Sequence, residues 1–105
     1  MLFRSTAWAH EHAFRQELFV VVPGVVVAML LPVSTIERVI LIAVLMLVLI
    51  VELINSSIEA VVDRVSLDRN PLSKNAKDLG SAAVMLSFVL ALITWALIAL
   101  PVFLH

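Results

Sequence analysis

The sequence predicts an all-α membrane protein with three hydrophobic helices. Of its 105 residues, 63% are hydrophobic and only 14% carry a formal charge. A soluble domain of this length has too small an interior to hide so much apolar surface, whereas a lipid bilayer requires no such hiding. Two long stretches, 18–36 and 79–105, contain no Asp, Glu, Lys or Arg. The whole chain, 1–105, is therefore expected to form one membrane-embedded domain.

The first 17 residues mix aromatic and charged side chains. Trp8 lies between Arg4 and Arg15, a combination typical of a segment at the level of the lipid headgroups. We therefore expect a short surface helix over 1–17 that turns into a first membrane helix at about 18–33. At about 1.5 Å per residue, the uncharged run 18–36 is roughly as long as the bilayer core is thick.

A turn separates the first hydrophobic helix from the second. It is predicted over 32–35, where Ser34 or Thr35 is placed to cap the following helix. Glu37 then falls in the first turn of that helix, where a negative charge is favourable. The second helix is expected to cover about 36–62.

The one sustained polar stretch, 63–78, is predicted to be a loop that leads into a third helix at about 79–104. Six of the seven Lys and Arg residues lie in this loop or before the first helix, and only Arg38 lies at the short turn. Because basic residues favour the cytoplasmic side, we expect the N-terminus and the loop to be cytoplasmic.

Composition excludes several classes of function. The chain has no cysteine, so a disulfide, a thiol nucleophile and a thiolate metal site are all excluded. Basic residues do not cluster with aromatic ones, so no nucleic-acid partner is expected. The formal net charge of −1 says nothing about partners.

A stripe of polar residues runs down the second helix. At about 100° per residue, its members fall within an arc of roughly 100°. They are Glu52, Asn55, Ser56, Glu59 and Asp63. A carboxylate at the centre of a membrane helix costs about 2.5–3.5 kcal/mol, and no Lys or Arg lies at the depth of Glu52. Such a group stays protonated, faces a watery cleft or binds a cation.

A second polar cluster opens the third helix, where Lys77, Asp78 and Ser81 share a face. Lysine binds phosphate as a point charge, and free N–H groups at a helix start favour anions. Glu11 and Glu17 add carboxylates from the N-terminal segment. Together with the stripe, these residues predict metal and phosphate chemistry at the cytoplasmic surface.

Three blocks of sequence resemble the small prokaryotic diacylglycerol kinases. The most specific is ELINSSIEAVVD at 52–63, and the others are AKDLGSAA at 76–83 and EHAFRQE at 11–17. The resemblance covers nearly the whole chain and implies a homotrimeric bundle in the bacterial cytoplasmic (inner) membrane, with sites shared between subunits. It also implies transfer of the γ-phosphoryl group of MgATP to a lipid alcohol, either diacylglycerol, which gives phosphatidic acid, or undecaprenol.

The same resemblance implies a role for each site residue. Glu52 would be the base that takes the proton of the lipid hydroxyl, with Asn55 positioning the reacting groups. Glu11 and Glu59 would be ligands of Mg²⁺. The nucleotide would be bound with the help of Asp63, Lys77 and Asp78, and the lipid substrate would be contacted by Gln16, Glu17, Glu52 and Ser81.

Two alternatives of another class remain open at this point. A small transporter or proton-conducting subunit would use Glu52 as its carrier site. A non-catalytic membrane regulator would use the stripe for helix packing alone.

Members of the family usually carry a longer amphipathic segment ahead of the position of Met1, so full activity is expected only if that segment is not needed.

Overall fold

Three long helices make up the described part of the chain. The computed structural model describes the backbone of residues 2–65 and 71–104 and the side chains of residues 16–64 and 72–104. The helices are α1 (Leu2–Leu30), α2 (Thr35–Val65) and α3 (Pro71–Phe103). Helix α2 packs against both α1 and α3. Since these ranges contain no strand, the all-α prediction is confirmed.

The sequence predicted a separate surface helix over 1–17, and this prediction was wrong. Helix α1 is continuous from Leu2 through Pro23 to Leu30. No Gly or Pro occurs between Leu2 and Val22, so nothing in that stretch breaks the helix. The change from polar to apolar residues near residue 17 therefore does not interrupt the helix.

The predicted polar loop at 63–78 was too long, because helix continues into it from both sides. Helix α2 extends to Val65, and α3 already begins at Pro71. Charged residues such as Arg64 and Lys74 are good helix formers, and proline is favoured at the first position of a helix. The charges thus mark the end of the apolar stretch and not the end of the helix.

The start of α2 is closed by a capping box. The Ser34 hydroxyl oxygen accepts a hydrogen bond from the Glu37 backbone N–H at 3.1 Å, and Glu37 Oε1 accepts one from the Ser34 N–H at 3.0 Å. These two reciprocal bonds satisfy donors that a helix start leaves free. The predicted cap at Ser34 and the favourable position of Glu37 are both confirmed.

The most buried apolar contacts lie near the turn between α1 and α2, far along α2 from the polar stripe. Leu41 is fully buried and clusters with Ala28 and Leu31. Trp95 of α3 packs against this cluster, and its indole N–H donates to the Leu41 carbonyl at 3.2 Å. This packing fixes how α3 lies on α2, and with it the register of the two helices at the polar end.

Two of the helices are long and apolar enough to cross a membrane. The spans are Thr35–Arg64 and Leu72–Phe103, and the apolar part of α1, Gln16–Leu30, is shorter. Most large apolar side chains on these helices are exposed in the single chain. Such a surface is stable when lipid or further protein covers it.

Arg38 joins the end of α1 to the start of α2. Its Nε donates to the Ala28 carbonyl at 3.0 Å, and its Nη2 donates to the carbonyls of Leu31 at 3.0 Å and Val33 at 3.5 Å. Carbonyls at the end of a helix have no partner within the helix. The guanidinium therefore satisfies groups that the turn would otherwise leave unpaired.

Replacing Arg38 by methionine is expected to destabilise the protein by about 1–3 kcal/mol, since buried carbonyls lose a charged donor. Thermal unfolding in detergent measures this loss. Lys74→Met, which removes an exposed cation from α3, is the matched control and should leave the melting temperature nearly unchanged. Equal melting temperatures for both variants would show that the Arg38 hydrogen bonds contribute nothing to stability.

Candidate functional site

The polar stripe forms one face of α2 toward its C-terminal end, as predicted. Glu52, Asn55 and Glu59 are half-buried, and Asp63 is exposed one turn further on. Ser57 lies off this face. It is exposed, and its hydroxyl donates to the Leu53 carbonyl of its own helix at 3.0 Å. The stripe therefore lies where residues of other helices meet α2.

Helix α1 brings a second carboxyl group to the deepest residue of the stripe. The Glu17 side chain of α1 lies beside that of Glu52 in α2, close enough for the two carboxyl groups to interact. A hydrogen bond between two carboxyl groups requires a proton on one of them. A proton bound at this pair could therefore be shared between the two carboxyl groups.

One turn further along α2, an amide holds the next carboxylate. Asn55 Nδ2 donates to Glu59 Oε1 at 3.2 Å. The other amide atom, Oδ1, is buried and has no donor among the described residues. It faces Gly80 of α3, where a side chain on the glycine would clash with it. The Asn55 side chain thus lies between α2 and α3, with its N–H₂ group directed at Glu59.

An ion pair joins α2 and α3 at the end of the stripe. Lys77 Nζ lies 2.5 Å from Asp63 Oδ1, and the two side chains are 42% and 50% exposed. Glu59 is also close enough to Lys77 to interact with it electrostatically. The ammonium group is accessible to solvent and can donate to an anionic group, and the two carboxylates beside it favour an anion that arrives together with a cation.

The structure brings together six of the ten residues proposed for the site. These are Glu17, Glu52, Asn55, Glu59, Asp63 and Lys77. Gln16, Asp78 and Ser81 are exposed in the single chain. The side chain of Glu11, proposed as a metal ligand, lies outside the described residues. Gly80, which was not among the ten proposed residues, lies within the site because the register of α2 on α3 places it there.

The described residues fit a magnesium ion only as part of a shared coordination shell. Within residues 16–64 and 72–104, no group of three or more His, Asp or Glu side chains forms a cation site. Mg²⁺ is usually held by one or two carboxylates together with water and substrate phosphates. Glu59, a half-buried carboxylate oriented by Asn55, is suited to be one of those ligands.

The arrangement has the parts that phosphoryl transfer needs. A carboxyl pair lies deep on the stripe, where it can take a proton from an alcohol. About two turns away, Glu59 and Lys77 lie where a cation and a phosphate chain can be bound. An alcohol inside the bilayer, which accepts the phosphoryl group, and a phosphate compound from water, which donates it, would therefore meet along α2.

Comparisons with known proteins find relatives that are kinases. Residues 4–99 match the family described as prokaryotic diacylglycerol kinase. A diacylglycerol kinase of Escherichia coli is 52% identical over 92 residues, which cover 88% of this chain and 75% of the relative. One from Pseudomonas aeruginosa is 56% identical over 94 residues, or 90% and 76% of the two chains. One from Helicobacter pylori is 38% identical over 98 residues, covering 93% and 77%.

Proposed function

The chain belongs to the prokaryotic diacylglycerol kinase family, and from this premise we propose that it transfers the γ-phosphoryl group of ATP to diacylglycerol. The product is phosphatidic acid. The resemblance first noted in the sequence is confirmed, and the protein is a kinase. The transporter and regulator alternatives have no support of this kind.

The observation that carries the proposal is the polar stripe on an otherwise apolar helix. Its carboxyl, amide and ion-pair contacts connect α1, α2 and α3 at one end of the molecule. Intramembrane carboxylates are costly and are usually retained for function. Contacts that only pack helices together do not require three carboxylates on one face of a helix.

Glu52 acts as the base in this proposal. It takes the proton of the lipid hydroxyl as that oxygen attacks the γ-phosphorus, and the bond from the γ-phosphorus to the β,γ-bridging oxygen breaks to release ADP. Glu17 lies beside it, and a proton shared between the two carboxyl groups would stay near the site until product leaves. Asn55 acts through its amide, which orients Glu59. Gln16 and Ser81, both exposed, complete the proposed lipid contacts together with Glu17.

The nucleotide is bound further along the stripe. Lys77 contacts the phosphates of ATP, Asp63 holds Lys77 in place, and Asp78 supports the nucleotide site. Glu59 and Glu11 would hold Mg²⁺ together with those phosphates. The chemistry that Mg²⁺ supplies when bound is neutralisation of the charge on the transferred phosphoryl group.

The protein is a membrane protein, and we further propose its topology and assembly. Six of seven basic residues favour a cytoplasmic N-terminus and a cytoplasmic connection between α2 and α3 in the bacterial inner membrane. The apolar part of α1 would form a third span. A homotrimer would cover part of the exposed apolar surface and enclose sites shared between subunits. An active monomer in mild detergent would contradict the trimer.

The choice of lipid acceptor is tested by assaying diacylglycerol and undecaprenol side by side. Purified protein is mixed with MgATP and either lipid in mixed micelles, and the phosphorylated lipid is quantified. The proposal predicts a higher kcat/KM for diacylglycerol. A higher kcat/KM for undecaprenol would show that undecaprenol is the preferred acceptor. The proposed phosphoryl transfer chemistry would be unchanged.

Replacing Lys77 by methionine is expected to raise the KM for ATP by about tenfold, since a phosphate contact with a charged donor is lost. The KM for the lipid should change little. Asp63→Asn serves as the stability control: the ion pair is about half exposed, so its loss should cost only about 0–1 kcal/mol. An unchanged KM for ATP in the Lys77 variant would remove Lys77 from the nucleotide site.

A further inference from the structure

Gly80 is buried at the point where α3 approaches the polar stripe of α2. A Cβ atom placed on Gly80 would clash with Asn55 Oδ1 and would lie 3.2 Å from Asn55 Cγ. The next nearest atom, Ile58 Cδ1, is 3.8 Å away, at an ordinary contact distance. The atoms nearest to the space that the missing side chain leaves are therefore those of the Asn55 amide.

The orientation of this amide has consequences for Glu59. Asn55 Nδ2 donates to Glu59 Oε1, while Oδ1 faces the backbone of α3 and has no donor among the described residues. A buried acceptor without a donor is unfavourable, so the surroundings must hold the amide in this position. The amide can approach α3 this closely only because residue 80 has no side chain.

We propose that Gly80 is a positioning residue for phosphoryl transfer, acting through Asn55 on the carboxylate of Glu59. This inference rests on the proposed kinase function and assigns a residue that does not itself touch substrate. A methyl group at position 80 forces the amide to move, and the hydrogen bond to Glu59 is lost with that movement. Glu59 then loses one of the contacts that orient it beside Lys77, with which it already interacts electrostatically.

The expected damage is to the reaction more than to the fold. Asn55 has a short side chain whose terminal amide can rotate away, so the helices need not separate. A displacement of about 1 Å at a reacting group can cost on the order of 10²-fold in rate. Gly80→Ala is therefore expected to lower kcat by about tenfold or more while the KM for diacylglycerol stays within about twofold of the parent.

The chain offers a matched control in its other glycine. A Cβ on Gly24 would lie 2.8 Å from Leu45 Cδ1, which is the end of a flexible apolar side chain. Gly24→Ala makes the same chemical change at another contact between two helices, between α1 and α2. Its kcat is expected to remain within about twofold of the parent, because Leu45 can shift without affecting the polar stripe.

A double-mutant cycle tests whether Gly80 acts through Asn55. Four proteins are compared for activity and thermal unfolding in the same detergent: the parent, Gly80→Ala, Asn55→Ala and the double variant. The proposal predicts that Gly80→Ala lowers kcat in the parent but changes it by less than about twofold once Asn55 is alanine. Thermal unfolding should show the same coupling. Alanine at position 80 is expected to raise the melting temperature only in the Asn55→Ala background, where the Asn55 amide is absent.

Equal effects of Gly80→Ala in both backgrounds would overturn the proposal and leave Gly80 as a packing residue. If Asn55→Ala has no measurable activity, the unfolding cycle still decides whether the two residues are coupled, and additive melting shifts overturn the proposal. Failure of the parent to phosphorylate any lipid is a different outcome, because it contradicts the proposed function. The cycle and the parent assay therefore distinguish the two failures.

Discussion

Replacing Glu52 by glutamine is expected to lower kcat by about 10²–10⁴-fold, the range lost when a general base is removed. Glutamine has nearly the same shape and retains hydrogen-bonding capacity toward Glu17. The fold and the affinity for ATP should therefore be preserved. Measuring kcat and both KM values in mixed micelles, with thermal unfolding in the same detergent, separates loss of the base from loss of structure.

Glu37→Gln is the matched control for this prediction. It makes the same change on the same helix, at the capping box that closes the start of α2. Glutamine also serves in a capping box, so this variant should retain the parent's activity. If Glu52→Gln were as active as Glu37→Gln, Glu52 would not be the base and would have only a packing role.

Replacing Glu59 by glutamine is expected to have the second large effect. The carboxylate is held by Asn55 and lies near Lys77, where it is proposed to bind Mg²⁺ with the phosphates of ATP. Losing a metal ligand of this kind removes several kcal/mol of charge stabilisation, so we expect a fall in kcat of about 10²-fold or more. The Mg²⁺ concentration for half-maximal rate should rise as well.

The measurement for Glu59 is the rate as a function of Mg²⁺ concentration at saturating ATP. Ser57→Ala, a change on the exposed side of α2 two residues away, is the control and should leave the curve unchanged. A Glu59→Gln variant with a lower kcat but the same Mg²⁺ dependence would contradict the role of metal ligand. It would favour a role for Glu59 in orienting Lys77.

Much of the architecture follows from the sequence because two physical signals are strong. Long stretches without charge predict helices in lipid, and a helical period places Glu52, Asn55, Glu59 and Asp63 on one face. The cap at Ser34 is equally local, since it depends on a hydroxyl and a carboxylate three residues apart. In each case neighbouring residues on one helix determine the outcome.

The features that the sequence could not predict depend on more than one helix. The predicted boundaries at 62 and 79 were wrong, since α2 ends at Val65 and α3 begins at Pro71, because a change from apolar to charged residues does not itself end a helix. The proximity of Gly80 to Asn55 depends on how α3 lies along α2, which packing near Trp95 sets from a distance. Arg38 was interpreted only as a charge that orients the chain, although its main contacts are with carbonyls of the turn.

The most direct test of the central claim is formation of phosphatidic acid by the purified protein. Diacylglycerol in mixed micelles is incubated with ATP labelled in the γ-phosphate, with and without Mg²⁺, and Glu52→Gln is run in parallel. We predict labelled phosphatidic acid that requires Mg²⁺ and falls to near background in the variant. Label transfer that is equal in both proteins, or absent from a folded parent with diacylglycerol and undecaprenol alike, would contradict the account.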